Sequence, residues 1–370
     1  MKLKVLSWIL LITFFSLFPT AAQDNTSPVI DASNVHQLQS VAHINYADLP
    51  ETAGVIDKGL FAVSANGEYY ATVNRQNQVV FWRTDGSFVN LSTAEGCTDT
   101  LPGAFIDGVF YNTPSYTGPE FFAAVYASTT GGIVAYHMLQ SDSVKTVCGL
   151  LPDQVPQRIW TGKNADVWTE GVYQDNGRPT VDYFPISILT PNEESGTVKN
   201  QPNTLDNDLD SLFRIGRIDP PFALTVTKDA LLKRWNLETG EVTTTAQLDS
   251  LPAAGQVNTD GSAFTWVDQK FESLHLLNFE SGEDHVIASL GGTYIPFLLL
   301  SAKADVIIGV NVGNEPNGVA WDVATGERLD LGDYRACNRQ PDMVRLSIDG
   351  STLVIGCDTG LDIWRVSAPK

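Results

Sequence analysis

The chain has 370 residues, with 23 basic against 43 acidic side chains and a formal net charge of −20. Nucleic acid and other polyanions are poor partners for it, because such binding leans on Lys and Arg neutralising phosphates and no basic cluster occurs. Its 30 Gly and 19 Pro are scattered, and no long window carries a 3.6-residue apolar period, which excludes a predominantly helical fold.

At the start, Lys2 and Lys4 precede an apolar run from Val5 to Phe18, then Pro19 and the small residues Thr20-Ala21-Ala22. This reads as a cleaved secretory signal over residues 1–22. The run is shorter than the ~20 residues a spanning helix needs, and no Cys follows it to carry a lipid. Removing the signal deletes two lysines and no acid, leaving 21 basic and 43 acidic side chains and a net charge of −22. The expectation is a secreted or extracytoplasmic chain, monomeric and with no membrane contact after cleavage, with a flexible leader over residues 23–33.

Next comes Val35 to Ile44, a segment of strand character with no repeat of its own. A module then recurs: an apolar strand, a Gly or Asp turn, a second strand, and a third that ends in a large apolar residue before a Gly turn. Its first copy is Val79-Val80-Phe81-Trp82 before Thr84-Asp85-Gly86, preceded by the Asn66-Gly67 hairpin signal. Two longer copies have third strands near Ile133–Tyr136 and Val181–Phe184. Four more end at Trp235, Leu277, Trp321 and Trp364, spaced by 42, 44 and 43 residues. A four-stranded propeller blade has a period of about 40–45 residues. The expected fold is therefore all-β, a seven-bladed β-propeller over residues 34–370. Since the chain ends six residues after Trp364, too soon for an outermost strand, residues 35–44 are expected to pair with 361–366 and close the ring.

The turns Ser64-Ala65-Asn66-Gly67, Asn258-Thr259-Asp260-Gly261 and Ser347-Ile348-Asp349-Gly350 resemble the Ser-Pro-Asp-Gly hairpin of WD40 repeats, and Trp321-Asp322 is the one Trp-Asp dipeptide. The resemblance covers nearly all of the mature chain. It departs from that family in having no Gly-His pair at the start of a repeat, so the family's Asp-His-Ser-Trp network is not assembled in the usual way. A sugar- or quinone-using propeller with its own blade signature is the other resemblance open.

On such a fold the linker into each blade and the loop between its second and third strands share a face. Cys337 and Cys357 are then neighbours and expected to form a disulfide, leaving Cys97 and Cys148, at the starts of successive blades, to pair with each other. The histidines at 36, 43, 137, 275 and 285 fall in no metal or nucleophile motif; 36 and 43 belong to the closing strand and His275 to a packed strand. Asp206-Asn207-Asp208-Leu209-Asp210 has alternating acids, but Ser211 stands where a calcium loop needs Gly and Arg217 where it needs Glu. Neither a metal nor a cofactor is expected. Tyr111, Tyr116, Trp160, Trp168 and Tyr173, in or near loops of the second and third blades, are the candidate recognition residues. The expected function is a non-catalytic scaffold for a protein partner. The alternative is an enzyme or small-ligand receptor, for example for carbohydrate, with carboxylates about 5–10 Å apart at the mouth of the channel.

Overall fold

The computed structural model describes residues 27–92 except 65 and 77, residues 222–367 except 237, 238 and 335–339, and between these two stretches the strands alone. The signal segment 1–22 lies outside the described residues. The chain is all-β. After β1 (Leu38–Asn45), the first sheet comprises β2 (Ile56–Val63), β3 (Tyr69–Asn74), β4 (Val79–Arg83) and β5 (Phe88–Ser92). The second holds β6 (Gly108–Tyr111), β7 (Phe121–Ala127), β8 (Ile133–Gln140) and β9 (Ser143–Leu150); the third, β10 (Arg158–Thr161), β11 (Val167–Val172), β12 (Pro179–Phe184) and β13 (Asn203–Thr204). The fourth holds β14 (Leu209–Gly216), β15 (Phe222–Thr227), β16 (Leu231–Asn236) and β17 (Val242–Gln247); the fifth, β18 (Pro252–Val257), β19 (Ala263–Asp268), β20 (Ser273–Asn278) and β21 (Asp284–Ser289). The sixth holds β22 (Phe297–Leu300), β23 (Val306–Val310), β24 (Asn317–Asp322) and β25 (Arg328–Asp333), and the last β26 (Met343–Leu346), β27 (Thr352–Gly356) and β28 (Gly360–Val366).

These make seven four-stranded antiparallel sheets, the last completed by β1 in the order β1-β28-β27-β26. Each repeat's expected third strand is the third strand of one sheet. The strand from the head of the chain pairs with the tail as expected, from Leu38↔Val366 to Asn45↔Gly360, with a bulge between Ser40 and Ala42. Gly360 permits this approach, since a Cβ there would lie 2.2 Å from the Ile44 carbonyl oxygen.

The turns explain why these residues form hairpins. At Ser347 the backbone N–H donates to Thr352 O (2.8 Å), Gly350 N–H donates to Ser347 O (2.9 Å), and Thr352 N–H donates to Ser347 Oγ (2.9 Å). Ser64 repeats the pattern with Tyr69 and Gly67, and Asn258 with Ala263 and Gly261. The turn thus needs a side-chain acceptor at its first position and a left-handed residue at its fourth, where Gly67, Gly261 and Gly350 have φ of 65°, 71° and 73°. A fourth copy, from Ser301 to Val306, has Ala304 in the left-handed position at φ 57°.

Packing occurs between sheets. Phe222, Leu224 and Leu232 of the fourth meet Phe264, Trp266 and Leu277 of the fifth; Leu274 and Val267 of the fifth meet Leu298, Ile307 and Trp321 of the sixth. Val306, Ile308 and Val310 of the sixth meet Leu353, Ile355 and Trp364 of the last. Finally Val354, Leu361 and Ile363 of the last sheet pack on Val63, Tyr70, Val80 and Trp82 of the first. Each of these five sheets buries an apolar face that it cannot bury alone. The first strands of the sheets adjoin: β2 meets β6, β6 meets β10, β14 meets β18, β18 meets β22, β22 meets β26, and β26 meets β2.

Residues ahead of β1 also dock. Ile30 is fully buried in the layer between the sixth and last sheets, and its N–H donates to Gly350 O at 2.9 Å. Lys303 Nζ lies 2.6 Å from Asp31 Oδ2, and this hydrogen bond, followed by that from Ser33, holds the Asp31 carboxyl below its ordinary range. The second half of the expected leader is therefore part of the packed structure.

Candidate functional site

Within each antiparallel sheet, the turn joining second to third strand and the linker arriving at the first strand lie at the same end. At this end of the fifth and sixth sheets the linker Leu290–Pro296 crosses between them. Gly292 N–H donates to Phe271 O at 2.8 Å, and Gly313 N–H, in the loop after β23, donates to Tyr294 O at 2.8 Å. The linker is thereby pinned to both sheets, and Tyr294 stands 41% exposed on it. The Phe271 ring meets the Tyr294 ring edge to face, with centroids 5.1 Å apart. Phe271 has φ 56°, a left-handed conformation that a bulky side chain rarely adopts and that costs on the order of 1 kcal/mol or more. Beside the pair, a Cβ at Gly291 or Gly292 would meet nothing within 4 Å, so the surface there is open. An exposed aromatic ring on a pinned linker, backed by a second ring from the β19–β20 turn and with unoccupied space beside it, is suited to receiving a partner's side chain.

At the same end of the last sheet stand Asp342, just before β26, and Asp358, in the turn between β27 and β28. Burial, and then the Asp358 charge, push the Asp342 carboxyl up. Tyr334, on the linker arriving there, is 3% exposed, and burial pushes its phenol up to about 12; its hydroxyl donates to Asn311 Oδ1 at 2.9 Å. Among the described residues the buried Asn311 amide nitrogen has no acceptor.

Two histidines serve strand pairing. His43 Nδ1 lies 2.9 Å from the fully buried Asp362 carboxylate, directly across the β1–β28 ladder. His275 is buried, stacks on Trp266 at 4.0 Å between centroids, and places Nδ1 3.1 Å from Asp284 Oδ2; the Trp266 indole N–H donates to Asp284 Oδ1 at 3.3 Å. Among the described residues no group of three or more His, Cys, Asp or Glu could hold a metal ion, and no helix is long and apolar enough to cross a membrane.

The aromatic residues expected near loops are distributed differently. Tyr111 ends β6, while Trp160 in β10 and Trp168 in β11 face each other across a strand ladder (Trp160↔Trp168). These three residues therefore belong to strands and not to loops. Tyr116 and Tyr173 lie outside the described residues. Cys148 lies inside the outermost strand β9, opposite Ala135, where a place at the start of a blade was expected; the β8–β9 hairpin, with eight residues in each strand, reaches further than the repeat indicates. Cys357, fully buried just after β27, is disulfide-bonded. Cys97 and Cys337 lie outside the described residues, as do 206–208 of the acidic run; Asp210 belongs to β14.

Tyr294 and Phe271 were not legible beforehand. Gly291-Gly292-Thr293-Tyr294 reads as a plain linker, and only its position between two periodic third strands marks it as a loop. A scan against models of protein families finds none that matches this chain, and a search of curated proteins finds no similar sequence.

Proposed function

We propose that the seven sheets are the blades of one closed, WD40-like β-propeller. It works outside the cytoplasm, as a non-catalytic scaffold for a protein partner, and engages that partner through the face bearing Tyr294. The observation that carries this reading is the exposed Tyr294 ring, held edge to face on Phe271 by a linker bonded to both sheets. Closure is supported by the series of adjoining innermost strands and by the apolar layer between the first and last sheets. Export is supported by the basic, apolar and small-residue order of residues 1–22 and by the disulfide-bonded Cys357, for which Cys337 is the proposed partner; Cys97 and Cys148 form the second proposed pair. The acidic surface favours a partner whose docking face is neutral or basic.

The test is capture with the mature, oxidised chain as bait, wild type beside Tyr294→Ala. A stoichiometric protein retained by the wild type should bind Tyr294→Ala roughly 30-fold more weakly, as expected for a buried tyrosine anchor, at unchanged thermal stability. Equal retention by both would show that this surface is not the docking face.

The Asp342 carboxyl, raised by burial beside Asp358, favours a second reading, a small-ligand or carbohydrate site built from carboxylates. Turnover of a glycoside panel that is lost in Asp342→Asn would establish it in place of the scaffold.

A further inference from the structure

Arg234 lies in β16, opposite Leu224 of β15 and Thr244 of β17, near the end of the fourth sheet opposite to that bearing the second-to-third-strand turns. Its guanidinium stacks 4.4 Å from the centroid of the Phe222 ring and 5.9 Å from that of Phe279, which follows β20 in the neighbouring sheet. Among the described residues no carboxylate pairs with it, and its Nε is buried without an acceptor. Burial is the one influence on its pKa, which it lowers. This is unusual in a chain with 43 acidic and 23 basic side chains, where carboxylates are plentiful. A half-buried cation gains little from aromatic faces and remains desolvated without a counter-ion. A guanidinium stacked on a ring keeps its N–H edge free for a planar two-oxygen acceptor.

We propose that Arg234, braced by Phe222 and Phe279, is an anion-binding site for a carboxylate, such as a free carboxylic acid or an acidic side chain of a ligand. One positive charge suits a monoanion: the adjacent Lys233 is directed at the Trp235 ring, 5.8 Å from its centroid, on the other face of the strand. A doubly charged phosphate would meet one cation and the field of a strongly acidic protein. The site is at the opposite end of the sheets from Tyr294 and does not depend on the scaffold reading.

The experiment is thermal unfolding at pH 7 in acetate, phosphate and chloride of equal ionic strength, on wild type, Arg234→Met and Arg234→Lys. Acetate at tens of millimolar should raise the wild-type Tm by roughly 2 °C over chloride. Arg234→Met should show no acetate response, and its Tm in chloride should match or exceed that of the wild type. Arg234→Lys, which keeps the charge and loses the fork, should show a much smaller response and covers the case in which Arg234→Met does not fold. A wild type indifferent to acetate, a variant that retains the full response, or a rise in phosphate alone overturns the proposal.

Discussion

Two indoles occupying the same place in their sheets differ in what the ring N–H meets. Trp82 faces Tyr70 across the β3–β4 ladder, and its N–H donates to the Thr72 hydroxyl two residues along, at 2.9 Å. Trp364 faces Leu353, and the residue two along is Ile355, so among the described residues its buried N–H has no acceptor. Trp235 and Thr225 repeat the first arrangement at 2.8 Å. A buried hydrogen bond contributes about 1 kcal/mol, and an unmet donor costs about 1–3. Trp82→Phe should therefore destabilise the protein by about 1–2 kcal/mol more than Trp364→Phe, measured by denaturant unfolding. A second prediction at this scale concerns Asp342. Its folded-state pKa is raised, so its protonated form favours folding; that stability is complete below the unfolded value of about 3.9 and is lost as pH rises through the folded value. At pH 7 Asp342→Asn should unfold at a higher temperature than the wild type, and the difference should vanish on acidification below pH 4; a gain equal at both pH values would contradict the assignment. The Trp–Thr pairing was hidden in the sequence because the two residues lie ten apart on different strands. The turn at Ser301 was hidden because Ala304 takes the left-handed place usually marked by Gly.

At the scale of elements, the joint between the ends of the chain rests on few polar groups. Arg365 of β28 donates from Nε to Thr352 Oγ1 at 3.0 Å, and from Nη2 to Gly67 O at 2.9 Å and Thr84 Oγ1 at 3.0 Å, tying the last sheet to the first. At Gly67 a Cβ would stand 2.4 Å from Thr352 Oγ1, so the two sheets meet there in van der Waals contact. Arg365→Ala removes all three bonds and leaves the acceptors half-buried. It should cost roughly 2 kcal/mol in unfolding free energy, and Arg365→Lys should recover little, because an ammonium cannot span three acceptors on two sheets. A loss below about 0.5 kcal/mol would mean that solvent replaces these bonds. The third strands of the first, fourth, fifth and sixth sheets could be read from the sequence because each joins an apolar run to a Gly turn. The docking of Ile30 could not, since one apolar residue among polar ones has no periodicity to mark it.

For the whole molecule, a repeat of 42 to 44 residues and a tail too short to finish its last sheet were enough to anticipate that head and tail share one sheet. The candidate binding surface was not anticipated: Tyr294 acquires its setting from Phe271 and Gly313, residues of two different sheets. Repeated local patterns specify the sheets, whereas the candidate surface arises from loops without repetition. The frame itself depends on β1 being held as firmly as the strand it completes. Peptide-resolved hydrogen exchange on the intact chain tests this most directly. Amides of residues 38–45 should exchange as slowly as those of 360–366, over hours and as one cooperative unit. Exchange of 38–45 within seconds beside a protected 360–366 would mean that head and tail do not share a sheet.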